Sequence, residues 1–272
     1  MRGDVTPRGA GKPAARSLVQ RVDDASALHE AGAAKFASAA VQAIDARSVF
    51  RVALAGGSTP KGVYARLAED VRWRSQVQWG KIQFFWGDER HVGPDHPDSN
   101  YRMACEVMLD RLPIDPAHVW RMKGEYEDAA RAADEYERDL RSVFGLSDGQ
   151  FPRFDLILLG MGADGHTASL FPGTDALRER RRLAVANHVE KLATDRLTLT
   201  VPVFNNGIDV LFLVQGPDKA EALKAVLEGP YDPERLPAQL IQPASGHLTW
   251  LVDSAAARLL SKDSRKAQSP GP

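Results

Sequence analysis

Residues 154–173 read FDLILLGMGADGHTASLFPG, and the reading of this stretch decides the fold. Phe154–Leu159 is an almost unbroken apolar run, the pattern of a strand buried on both faces of a parallel sheet. It passes directly into Gly160, Gly162 and Gly165, with Asp164 and His166 set among them. Glycine allows a sharp turn and a close backbone approach to a ligand, at a cost of roughly 1 kcal/mol relative to alanine. Open α/β sheets place their chemistry at the carboxyl ends of their strands. A titratable histidine at that place marks a candidate active site.

The three glycines also satisfy the G-x-G-x-x-G spacing of a dinucleotide-binding turn, and the context argues against it. Such a turn opens a long helix, whereas Pro172-Gly173 interrupts the chain within seven residues. The carboxylate expected about 20 residues on, at the end of a second strand, is replaced by the charged run Arg178-Glu179-Arg180-Arg181-Arg182. That run reads most simply as a solvated face.

Outward from this stretch, apolar runs and helical periodicities alternate. Asp24–Asp45 has Ala33, Phe36, Ala40 and Ile44 at helical spacing. Val52–Ala55 and Ile82–Trp86 read as strands, Ser99–Leu109 as a helix, and Glu125–Phe144 as an amphipathic helix striped by Tyr126, Ala129, Ala133, Tyr136, Leu140 and Val143. Further strands are expected at Leu183–Ala186, Leu197–Thr200, Val210–Val214 and Leu248–Val252, with a helix at Pro217–Glu228 that Gly229-Pro230 ends. The alternation predicts an α/β fold, a Rossmann-like, mostly parallel sheet with helices on both faces, in a single domain over 17–261. Residues 1–16 and 262–272, rich in Gly, Pro, Ser and charge, are expected to be disordered tails.

Composition narrows the function. Among 272 residues, 35 Lys and Arg balance 36 Asp and Glu, giving a net charge of -1, so no nucleic-acid or anionic-membrane partner is indicated. No apolar run approaches the roughly 20 residues of a membrane span, and the N-terminal stretch lacks the apolar core of a secretory signal. The single cysteine, Cys105, reads as a small apolar residue without activating neighbours. A reducing, cytoplasmic compartment is expected.

Five places carry candidate chemistry. Gly56-Gly57-Ser58-Thr59-Pro60 joins a strand to a helix, and the helix start offers backbone N–H groups and a positive dipole end to a phosphate; alternatively Ser58 or Thr59 caps the helix. It is not a Walker A loop. Asp88-Glu89-Arg90 ends another strand, either as part of the site or as a surface ion-pair cluster. There Arg90 is placed to donate to an oxyanion, and Asp88 to orient a sugar hydroxyl or a histidine. His166 is either a general base near neutral pH or the cap of a short helix. Arg196 and Lys219 are either cationic partners of a phosphate or solvated charges. His91, Asp95, His96 and Asp98 crowd one loop, but their spacing fits no compact zinc pattern, so no metal is expected.

Taken together, LAGGSTPKGVY at Leu54–Tyr64, FFWGDERHVGPDHPDSNYRM at Phe84–Met103 and DLILLGMGADGHTASLFPGT at Asp155–Thr174 resemble the 6-phosphogluconolactonase family. RLTLTVPVFNNG at Arg196–Gly207 and LTWLVD at Leu248–Asp253 add to the resemblance, which spans about residues 50–252. It implies the Rossmann-like sheet shared with glucosamine-6-phosphate deaminases and ribose-5-phosphate isomerases. It also implies hydrolysis of 6-phosphogluconolactone in the oxidative pentose phosphate pathway, with no cofactor and a small-molecule substrate as partner. By the resemblance His166 is the base, Arg90 steadies the oxyanion, Asp164 and Asp88 position His166 or sugar hydroxyls, and Gly56, Gly57, Ser58, Thr59, Arg196 and Lys219 hold the phosphate. The deaminases are the near alternative, but the glutamate they resemble one another in after D-G-H is replaced here by Leu170 or Phe171. A sugar-phosphate sensor without turnover is the alternative from another class. One departure stands out: the proline-rich run frequent before the R-[IL]-T-L segment is Lys191-Leu192-Ala193-Thr194-Asp195 here, so no role is carried over to Lys191.

Overall fold

The structure is a computed structural model and describes residues 17–261, so the expected tails fall outside the described residues. Six parallel strands form the main sheet: β1 (Ser17–Val22), β2 (Phe50–Leu54), β3 (Ile82–Trp86), β5 (Leu156–Leu159), β8 (Asp209–Val214) and β9 (His247–Asp253). Their order across the sheet is β1-β9-β8-β5-β2-β3. Three short strands, β4 (Asp88–Arg90), β6 (Ala184–Val189) and β7 (Thr194–Leu199), form a separate antiparallel sheet in the order β4-β7-β6.

Alternation along each main strand divides the core into two layers. Val52, Leu54, Phe84, Trp86, Leu156 and Leu158 face α1 (Ala25–Arg47), α2 (Ser58–Glu69) and α4 (Asn100–Val107). Ala53, Phe85, Ile157 and Leu159 face α5 (Ala129–Phe144), α6 (Val201–Asn205) and α7 (Ala220–Glu228). A short α3 (Val71–Gln76) follows α2. Helices therefore cover both faces, as the unbroken apolar strands require.

The chain runs outward from β2 to β3, then returns to β5 and runs outward the other way to β8 and β9. The seam between β2 and β5 is thus a topological switch point, where helices leave on opposite faces and open a crevice at the carboxyl ends of the strands.

Several local expectations are corrected. The edge strand β1 carries no apolar run to betray it, because SLVQRV is partly exposed along its length. The helix expected from Glu125 begins at Ala129, since the Asp128 carboxylate accepts the N–H of Ala130 and starts it there; Tyr126 lies outside it. The helix expected from Pro217 is a 3-10 turn, Pro217–Lys219, leading into α7. The strands expected at 183–186 and 197–200 are β6 and β7. They belong to the antiparallel sheet because only the four residues 190–193 separate them, too few for a covering helix and a parallel return.

Candidate active site

The strands stop at the rim of the crevice, leaving their last backbone groups without ladder partners. Two buried tyrosines satisfy them. The Tyr64 hydroxyl donates to Ala55 O and accepts from Ala55 N, both at 2.9 Å; the Tyr136 hydroxyl does the same for Trp86, at 3.0 and 2.9 Å. Burial pushes both phenols up, so they stay neutral donors. Both strand ends are thereby fixed before their loops begin.

After β2, Gly57 turns the chain at φ 98°, a left-handed conformation that a side chain would strain. At Gly56 a Cβ would lie 1.8 Å from Asn100 Oδ1, so only glycine lets the Asn100 amide approach. The helix α2 then starts at Ser58 without any side-chain cap, which decides against the capping reading of Ser58 and Thr59. The N–H groups of that first turn and the positive end of the helix dipole open onto the crevice.

At Gly87 the chain crosses between the sheets, donating to Leu54 O of β2 and accepting from Leu199 N of β7. Alternation in β4 then separates three charges that lie side by side in sequence. Asp88 and Arg90 line the crevice. Glu89 points the other way, buried, and accepts from the N–H groups of Arg90, Asn100 and Tyr101 and from the Ser99 hydroxyl, at 2.7–3.1 Å. Burial pushes the Glu89 carboxyl up, and those backbone N–H groups offset part of the shift. Its place is structural: it anchors the start of α4 and so aims Asn100. Asp88 is held by the Ser169 hydroxyl at 2.7 Å, and its backbone oxygen accepts from Asn100 Nδ2 at 2.9 Å. Ser169 is held in turn by Asn187 of β6 at 2.8 Å. Between the anchored Thr167 and Ser169, Ala168 adopts φ 47°, a strained backbone that its two bonded neighbours enforce. The Arg90 guanidinium donates to Asp98 O at 2.5 Å.

After β5, Gly162 N–H donates to His166 O and closes the glycine turn. No helix follows; the next helical turn is Asp175–Arg178, so His166 caps nothing, and the dinucleotide reading is excluded on the same ground. A Cβ on Gly162 would lie 2.1 Å from His166 Nδ1, so this glycine makes room for the imidazole. His166 Nδ1 lies 2.5 Å from Asp164 Oδ1, and the ring stacks on Phe171 at 4.2 Å between centroids. A carboxylate accepts, so Nδ1 carries the proton and Nε2 is left with a lone pair. Lys191 Nζ donates to the other Asp164 oxygen and lies 5.0 Å over the Phe171 ring. Burial alone would raise the Asp164 carboxyl, but the bonds from His166 and Lys191 outweigh it and hold it well below the usual carboxylate range. Asp164, not Asp88, is the carboxylate that touches His166.

Ala55–Thr59, Asp88, Arg90, Asn100, His166, Gln215 and Lys219 surround one cavity of about 220 Å³ at the switch point. Lys219 pairs with Asp218 at 3.0 Å. Arg196 does not line this cavity. It is the direct partner of Arg90 across the β4–β7 ladder, with its Nε buried and unbonded. Burial and the nearby Arg90 charge both lower its pKa. Two like charges opposite one another are unfavourable, and an anion beside them would relieve the repulsion.

Sequence reasoning missed Asn100, Ser169, Gln215 and the Lys191–Asp164 pair. The D-S-N run at 98–100 carried a signal for the first, a serine N-cap with an amide one residue inside the helix. The others meet their partners only through the fold.

Comparison with known proteins bears on the site as a whole. The profile of the family described as glucosamine-6-phosphate isomerases/6-phosphogluconolactonase matches residues 23–250. A 6-phosphogluconolactonase of Synechocystis sp. is 45% identical over 219 residues, 80% of this chain and 88% of the relative. The structure of 6-phosphogluconolactonase from Trypanosoma brucei is similar with a TM-score of 0.81 at 29% identity, covering 91% of this chain and 100% of that one. A monomeric glucosamine-6-phosphate deaminase matches with a TM-score of 0.73 at 23% identity, covering 89% and 99%, a likeness of fold alone.

Proposed function

Because this chain belongs to the glucosamine-6-phosphate isomerase/6-phosphogluconolactonase family, we propose that it hydrolyses 6-phosphogluconolactone to 6-phosphogluconate. The observation that carries the reading is one cavity that holds a histidine with its Nε2 free, a guanidinium, and an uncapped helix start.

In this mechanism the phosphate sits on the N–H groups of the Ser58 turn, with Lys219 beside it and Arg196 contributing charge from the flank. His166 Nε2 takes a proton from water as the water oxygen bonds to the lactone carbonyl carbon. The carbonyl electron pair moves onto its oxygen, and the Arg90 guanidinium stabilises that oxyanion. Collapse of the tetrahedral intermediate breaks the bond to the ring oxygen, which takes the proton back from the His166 imidazolium. The new carboxylic acid then loses a proton to solvent. Asp164 holds the imidazole in the required tautomer and stabilises its charged form, while Asp88 accepts from sugar hydroxyls. An activated ester needs nothing further than a base and electrostatic stabilisation.

The deaminase alternative needs an acid at the segment after His166. There Leu170 is fully buried and Phe171 stacks on the imidazole. A cytosolic setting is part of the proposal; among the described residues no helix is long and apolar enough to cross a membrane.

The test is the disappearance of 6-phosphogluconolactone with and without protein, run beside glucosamine 6-phosphate. Turnover well above spontaneous hydrolysis, with no ammonia from the amino sugar, is expected. Tight binding of 6-phosphogluconate with no turnover would favour the sensor instead.

A further inference from the structure

Gln215 directly follows β8 and lines the cavity, yet the mechanism above leaves it unused. Its Oε1 lies 3.0 Å from Nε2 of His29 on α1. An amide oxygen only accepts, so this bond sets His29 as the Nε2–H tautomer and fixes the rotation of the Gln215 amide. The amide nitrogen, with two hydrogens to donate, makes no hydrogen bond to any described residue.

The pair is built into the scaffold from a third element. A Cβ on Gly62, inside α2, would lie 2.2 Å from both Cε1 and Nε2 of the His29 ring. A glycine in a helix interior is costly relative to alanine, and Gly62 is not in the left-handed region that would call for one. The space it leaves is occupied by His29. Burial, then the nearby Arg66 charge, lowers the His29 pKa, outweighing the opposing hydrogen bond to Gln215, so the ring works as a neutral donor. Gln215 is thereby tied to the first turns of α2, whose open N–H groups begin at Ser58, and Lys219 follows it four residues later.

We propose that Gln215 donates its side-chain amide to the phosphate of the bound sugar lactone, held in place by His29, and that this pair makes the site discriminate phosphorylated from unphosphorylated lactones. Gln215 touches the ligand; His29 is a positioning residue that acts through it. The inference rests on the lactonase reading.

The experiment compares 6-phosphogluconolactone with unphosphorylated glucono-1,5-lactone, using Gln215→Leu, Gln215→Glu, His29→Leu and His29→Gln. A hydrogen bond to a charged group corresponds to about 10–100-fold in affinity. Gln215→Leu is therefore expected to raise KM for the phosphorylated lactone at least about tenfold while kcat stays within about twofold. Gln215→Glu, which sets a carboxylate against the phosphate, raises it further. His29→Leu gives a smaller rise of the same kind, and His29→Gln, which restores a donor, recovers most of it. The kcat/KM for glucono-1,5-lactone is unchanged throughout. Equal losses on both lactones, or an unchanged KM in Gln215→Leu and Gln215→Glu, would overturn the proposal. Should Gln215→Leu fail to fold, Gln215→Glu carries the same comparison. If the wild-type chain has no lactonase activity, the function fails separately; protection against thermal unfolding by inorganic phosphate, lost in the Gln215 variants, still reads the inference.

Discussion

The two sheets of this molecule contribute different things to one cavity. The six-stranded sheet presents no charged side chain of its own strands to the site. It supplies strand ends pinned by tyrosine hydroxyls, glycine turns, and the loops that carry Ser58, His166 and Lys219. The three-stranded sheet supplies Asp88 and Arg90 from the strand itself, with Arg196 opposite. The difference follows from burial. Parallel strands covered on both faces cannot carry unpaired charge, whereas a short antiparallel ribbon at the rim keeps one face toward the crevice. The large sheet therefore sets where the ligand lies, and the small sheet sets the charge that meets it.

Substitutions can break that division, and the largest effect belongs to the β5 turn. His166→Asn removes the base and is expected to lower kcat by about 10²–10⁴, measured against spontaneous hydrolysis; an unchanged rate would end the assignment. Arg90→Ala, on the small sheet, is expected to cost about 10²–10³ in kcat with a lesser change in KM. If KM rose and kcat held, the small sheet would be a binding element like the large one. Lys219→Ala, on the large-sheet rim, is expected to do the opposite, raising KM about 10–100-fold with kcat nearly kept, as uniform binding losses do.

Two weaker tests sharpen the comparison through stability. Glu89→Gln sets an amide against backbone donors on the face of β4 turned away from the cavity. It should lose about 1–3 kcal/mol by denaturant titration while leaving kcat within a few-fold. Asp164 gives the smallest effect and a pH signature. Its folded pKa lies below its unfolded value, so its stabilising contribution is present above the ordinary carboxylate pKa of about 3.9. It is lost as pH falls through the folded value. The melting difference between wild type and Asp164→Asn should hold steady from about pH 5 to 8 and shrink below about pH 4. A gap that closed near neutrality would mean that the ion pair with Lys191 does not hold the carboxylate ionised.

Much of the large sheet was legible because its signals are local. The Ile82–Trp86 strand is found as read, and the helix expected from Asp24 starts one residue later, with Asp24 as its cap. The glycine turns at 56–57 and 160–165 stood beside the residues they serve. In the small sheet β6 and β7 were legible as apolar runs, but β4 was legible only as charge. That Glu89 faces away while Asp88 and Arg90 face inward needs the ladder with β7, and periodicity over three residues cannot supply it.

By itself, then, the sequence determined which segments bury both faces, where the backbone turns sharply, and that a histidine stands at a central strand end, since each depends on residues a few positions apart. Only the tertiary structure decided which side chains hold one another. Ser169 reaches Asp88 across 81 positions and His29 reaches Gln215 across 186. A hydrogen bond acts over about 3 Å between groups that the chain brings together only when its core closes.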